Sequence, residues 1–207
     1  MPDLVIVAGG SGQHASVVYE AAVLAGHHVA GYATVEPGSP ATLLDCPPLG
    51  PLDACPVEGM RFVVACGSNT QRRAISDSLA ARGAEFAAVI HPAAVVSPSA
   101  TIAPGAMVLA GAILGPRARI EAGAIVNHAA VVDHDCVVEA FANICPGVRL
   151  AGCVQVREDA FVGLSASVIQ GLEIGHGAVV GAGAVVIRDV AAGATVVGIP
   201  ARDVAAP

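Results

Sequence analysis

The pair in this sequence best suited to moving a proton is His134-Asp135, in the run VDHDC. An imidazole titrates near neutrality and can take a proton from an amine or a hydroxyl, and a neighbouring carboxylate can support it. A second feature is Gly10-Ser11-Gly12-Gln13-His14, which follows the apolar run DLVIVAG and precedes the helical pattern ASVVYEAAVLAG. Such a turn offers free backbone N–H groups at a helix N-terminus, which hold phosphate, although the spacing falls short of a full GxGxxG. Gly67-Ser68-Asn69 forms a second turn of this kind. Cysteines stand at 46, 55, 66, 136, 145 and 153, without a CxxC pair or a paired zinc spacing. They read as reduced cytoplasmic thiols, and no metal is expected.

These residues need a frame, and the frame is periodic. From Ile90 to Ala191 the chain divides into seventeen blocks of six, and each begins with Val, Ile or Leu. The fifth position is Ala in most blocks, otherwise Cys136, Val148, Val154, Leu172 or Val190. A period of six fits a chain that runs straight, turns and repeats, so that three blocks make one triangular coil. The first-position aliphatics fill the interior, the small fifth residues fit the corners, and mid-block Gly and Pro supply the turns. Stacked coils bury a core that one coil cannot. Residues eighteen apart then lie one above the other at about 4.8 Å. On this register Gly152 lies above His134 and Pro116 below it, with the imidazole pointing outward from a turn. A second edge carries His128, Pro146, Leu164 and Ala182, apolar in its upper part and suited to a thin ligand arm. Cys136 faces inward by phase.

Ahead of the repeat, strands are predicted at Asp3–Gly9, His28–Ala33, Arg61–Cys66 and Glu85–Ile90, with helices after the first and third. Residues 1–85 read as a small α/β domain with a Rossmann-like, mostly parallel sheet, and 86–207 as the coil domain and its tail. The proline-rich segment Glu36–Gly59 reads as an irregular connection with one short helix near Leu52–Ala54. Ser68 or Asn69 should cap the second helix.

The 207-residue chain is 55% hydrophobic and 13% charged, with net charge -7. So little charge cannot cover the surface, and part of the coil domain should be buried in an oligomer. All ten basic residues are arginines, scattered rather than striped, which argues against a nucleic-acid partner. The first residues lack the basic region of a signal peptide. No run is long and apolar enough for a membrane span.

The run NHAAVVDHDCVVEAFANICPGVRLAG, with the Gly-rich first turn and the tail Gly198-Ile199-Pro200-Ala201-Arg202, resembles the hexapeptide-repeat sugar acetyltransferases that modify UDP-4-amino-sugars and sialic acids. The resemblance covers the whole chain and implies a left-handed parallel β-helix. It implies that His134 is the general base, that Asp135 raises its basicity, and that Gly152 lies at the acetyl group. Leu164 and Ala182 would touch acetyl-CoA, with the Pro200 tail continuing that track. Gly12, Gln13, His14 and Gly67, with Gly10, would bind the acceptor, a UDP-amino-sugar. A homotrimer with sites between subunits is also implied. Asn143 stands where the family often has a second histidine that contacts acetyl-CoA. Thr34 and Val35 replace an acidic pair at the end of the second strand, with Glu36 nearby. Sugar O-acetyl transfer, a non-catalytic sugar-binding scaffold and a β-helix carbonic anhydrase are the alternative readings.

Overall fold

The computed structural model describes residues 3–10, 12–36 and 39–204. The chain opens with β1 (Asp3–Ala8), α1 (Gln13–Leu24), β2 (Val29–Thr34), β3 (Pro48–Pro51), β4 (Met60–Ala65), α2 (Asn69–Ala81) and β5 (Glu85–Phe86). These strands form one parallel sheet in the order β3-β2-β1-β4-β5. The strand order reverses between β1 and β4, where open α/β sheets bind ligands. Leu4 to Ala8 are fully buried, as expected for a central strand covered on both faces. Ser68 caps α2, its Oγ accepting from the Gln71 N–H at 3.4 Å.

Two expectations change here. The segment read as irregular contributes β3, an edge strand on which prolines are tolerated because one side of the ladder is unpaired. The short helix is present as a 3-10 turn at Leu52–Ala54. The single strand expected over Glu85–Ile90 is two: Glu85–Phe86 completes the first sheet, and Val89–Ile90 opens the coil domain.

The coil domain is a parallel β-solenoid with three sheets of eight, six and five strands. Pairs such as Ile113↔Val131, Arg119↔Val137 and Ile125↔Asn143 hold the eighteen-residue register. Val108, Leu114, Ile120 and their successors fill the interior, with Ala106, Ala112 and Cys136 beside them. The fourth position of every block from Gly105 to Gly183 has positive φ, whether or not it is glycine. The left-handed residue is what turns each corner. The register breaks only at the end. Val180 pairs with Val196 and Ile174 bridges Val190, so the last coil is two residues short. Arg202–Asp203 then lies antiparallel on Thr195–Val197.

The three faces are unequal. The eight-stranded face is covered by the sheet domain: Met107, Leu109 and Ile125 are fully buried in one core with Ala15, Val18 and Ala22 of α1. The six-stranded face and its rim expose Val95, Ile113, Ile169 and Ile187. His128 lies on the edge between these two faces, His134 on the edge between the six- and five-stranded faces, and Phe141 on the third edge.

Arg72 fastens the two domains. It is fully buried, and its guanidinium donates to the carbonyls of Gly123 (2.7 Å), Phe141 (2.7 Å) and Cys66 (2.9 Å) and to Asn69 Oδ1 (3.0 Å). Arg73 pairs with Glu158 and Asp159 and lies over the Phe141 ring, 4.4 Å from its centroid.

Candidate active site

His134 sits third in its block, where the chain leaves a strand and turns. Its carbonyl accepts from the Cys153 N–H at 2.9 Å, so the coil above is seated directly upon it. A Cβ built on Gly152 would lie 2.3 Å from His134 Nε2. The imidazole therefore occupies the space that any side chain at 152 would need. Gly152 donates its own N–H to no acceptor among the described residues.

His134 Nδ1 is 2.8 Å from Asp135 Oδ2, and the imidazole is half exposed. Asp135 carries the left-handed corner conformation, φ 58°, which lets its side chain turn back toward the preceding residue. One coil below, Arg117 has the same conformation and grips the carboxylate with two bonds, Nε to Oδ1 at 2.6 Å and Nη2 to Oδ2 at 2.8 Å. These bonds, with the one from His134, hold the Asp135 carboxyl well below the usual carboxylate range. An ionised carboxylate can only accept, so Nδ1 is the nitrogen that donates to Asp135, and Nε2 is the one that lies against Gly152. Arg117 is absent from the sequence reading, yet it stands eighteen residues before Asp135.

Cys136 and Cys145 are buried, and burial pushes both thiols up to about 11. Neither offers a thiolate near neutrality. Cys153 is exposed beside the His134–Asp135 pair.

On the second edge the ladder His128, Pro146, Leu164, Ala182 is continuous: Gly147, Ser165 and Gly183 donate to the carbonyls of His128, Pro146 and Leu164. Leu164 and Ala182 are exposed, as is Pro200 in the tail. Asn143 is elsewhere. It lies on the covered face, 5% exposed, with Nδ2 donating to the Gly67 carbonyl at 3.2 Å. Within one chain it ties the second glycine turn to the solenoid.

The first glycine turn is tightly packed. Gly12 has φ 74° and caps α1, and a Cβ there would lie 2.5 Å from Pro40. The Gly10 carbonyl accepts from Ser39 Oγ at 2.8 Å. Ser11 lies outside the described residues. Gln13 is exposed, whereas His14 is largely buried and its Nε2 has no hydrogen-bond partner among the described residues. Burial, with repulsion from Arg72 and His128, pulls the His14 pKa down to about 4. Gly67 is exposed, and a Cβ there meets nothing within 4 Å.

No family model matches the chain. Among solved structures, GDP-perosamine N-acetyltransferase from Caulobacter crescentus, a histidine-to-alanine variant with CoA and GDP-perosamine bound, is 37% identical. It aligns over 99% of this chain and 97% of its own, with a TM-score of 0.92. The acetyltransferase domain of PglB from Neisseria gonorrhoeae is 35% identical over 99% of this chain and 100% of its own, with a TM-score of 0.91.

The chain belongs to the hexapeptide-repeat sugar N-acetyltransferases.

WeeI from Acinetobacter baumannii is 27% identical to this acetyltransferase, with a TM-score of 0.86. Among curated relatives, 2,3,4,5-tetrahydropyridine-2,6-dicarboxylate N-acetyltransferase from Staphylococcus aureus is 37% identical over 68 residues. That match covers 29% of this chain and 28% of the relative. The similarity to the curated relatives is thus confined to about a quarter of their length.

Proposed function

We propose that this acetyltransferase moves the acetyl group of acetyl-CoA onto the amine of a sugar carried on a nucleoside diphosphate. The observation that carries the reading is the stack at one exposed edge: His134 oriented by Asp135 and lying directly beneath Gly152. His134 Nε2 takes a proton from the acceptor amine as its nitrogen attacks the thioester carbonyl. The Gly152 N–H, which has no acceptor among the described residues, donates to the oxyanion that forms. The C–S bond breaks, the proton on Nε2 passes to the departing sulfur, and CoA leaves as the thiol. No acyl-enzyme is required. Two relatives support the partners, one solved with CoA and GDP-perosamine bound and one with acetyl coenzyme A bound.

The acceptor belongs to the sheet domain, at the edge where β1 and β4 end. That domain covers the eight-stranded face, whereas His134 stands on the opposite edge of the triangle. A side of six residues spans about 20 Å. The acceptor turn of one chain therefore cannot reach its own His134. The reading needs a second copy, and the exposed Val95, Ile113, Ile169 and Ile187 on the six-stranded face suit it. We take each solenoid to be left-handed and the assembly to be a homotrimer, with the Leu164–Ala182–Pro200 track as the path of the CoA arm.

The deciding experiment supplies acetyl-CoA and a panel of nucleotide-linked amino sugars and measures thiol release. Wild type should turn over at least one acceptor, and His134→Ala should lose about 10^2- to 10^4-fold while still binding acetyl-CoA. Near-normal turnover by His134→Ala would refute the assignment.

A further inference from the structure

The end of β2 carries Thr34 and Val35 rather than acids. One strand further out the chain supplies a carboxylate. A groove of about 400 Å³ lies between the C-terminal ends of β2 and β3 and the first turns of α2, and Val35, Leu52, Asp53, Gln71, Ile75 and Ser78 line it. Its inner end reaches the place where the strand order reverses. Gln71 Oε1 accepts from Cys66 Sγ at 3.0 Å and lies close to Gly9 at the end of β1. Its outer end is Asp53, on the 3-10 turn that follows β3.

That turn is fixed. Arg82, at the end of α2, donates to the carbonyls of Leu52 (3.0 Å) and Cys55 on either side of Asp53. Leu52 is buried beneath. The Asp53 side chain itself is exposed and has no partner among the described residues. A rigid turn thus presents one unengaged carboxylate over an apolar wall, at the far end of a groove whose inner end, at Gln71, adjoins Gly9 and the first glycine turn.

We propose that this groove takes the nucleobase of the acceptor and that Asp53 selects guanine. The inference rests on the reading of the sheet domain as the nucleotide-binding part. A carboxylate has two acceptor oxygens and no donor. Guanine presents two adjacent donors, N1–H and the N2 amine, which a carboxylate accepts side by side. Uracil presents one N–H between two carbonyl oxygens, and those oxygens would face the carboxylate with like polarity. Val35, Leu52 and Ile75 cover the flat faces of the ring. The assignment favours guanine over the uracil that the sequence resemblance implies.

The test is calorimetry with GDP and with UDP on wild type, Asp53→Asn and Asp53→Ala, with CoA titrated as a control. Wild type should bind GDP at least tenfold tighter than UDP. Both variants should lose about 10- to 100-fold for GDP and little for UDP or CoA. Because Asp53 is exposed and unpartnered, both variants should unfold at the wild-type temperature. Equal binding of the two nucleotides by wild type, or an unchanged ratio in Asp53→Asn, would overturn the base assignment and leave the nucleotide reading standing. Binding of neither nucleotide, with CoA still bound, would overturn both.

Discussion

At the scale of single residues, the site is a ladder rather than a pair. Arg117 grips Asp135, Asp135 accepts from His134, and His134 covers Gly152. Each link makes its own prediction. Gly152→Ala should displace the imidazole, because the added carbon falls within van der Waals contact of Nε2; kcat should drop at least tenfold while the melting temperature holds. Arg117→Ala should lower kcat several-fold without changing KM, because Arg117 acts only through Asp135; steady-state kinetics against both substrates separates the two constants. His14 adds a pH effect. Its folded pKa of about 4 lies below the imidazole norm of about 6.5, so the unfolded chain binds the proton first. The resulting penalty is absent above about pH 6.5, grows as pH falls through that value, and is complete below about 4, at about 3 kcal/mol. Denaturant unfolding between pH 4 and 7 should show this slope in wild type and less of it in His14→Gln. The His134–Gly152 stack was legible in the sequence because the six-residue period places third positions over one another. Arg117 followed from the same rule but was missed, since its meeting with Asp135 depends on both residues taking the left-handed corner conformation.

At the scale of elements, hydrophobic periodicity foretold the solenoid because nearly every coil obeys it. It could not foretell where the register slips: Val190 and Val196 suit the interior whether the last coil has eighteen residues or sixteen. Nor did it show β3, whose prolines suppress the strand signal while its edge position tolerates them. The docking of α2 was equally hidden. Nothing in the helical pattern singles out Arg72, and only the fold brings it to the carbonyls of Gly123 and Phe141. Arg72→Ala would leave those buried acceptors unpaired, and we expect a loss of about 3–5 kcal/mol in denaturant unfolding. Arg73→Ala, at a partly exposed ion pair, should cost no more than about 1 kcal/mol.

At the scale of the whole molecule, on the proposed reading the site of a single chain is divided. The glycine turns lie over one face, and His134 lies on the edge opposite. Sedimentation at micromolar concentration should show a trimer. Replacing Ile113 with Arg should shift it toward monomers and abolish turnover, while each monomer still binds the nucleotide.

The short last coil and its reversed strand carry a different consequence. A parallel solenoid ends in a row of open hydrogen-bonding groups, and another solenoid could add to that row indefinitely. Here Arg202–Asp203 runs backward along Thr195–Val197, and the Val204 N–H donates to the Thr195 carbonyl at 2.8 Å. An incoming parallel coil meets a strand of the wrong polarity with an arginine and an aspartate on it. On the eight-stranded face the tail thus closes the ladder, and we expect it to limit growth along the solenoid axis. A chain cut after Gly198 should elongate end to end into filaments, visible as rising light scattering at a concentration where the full chain stays clear.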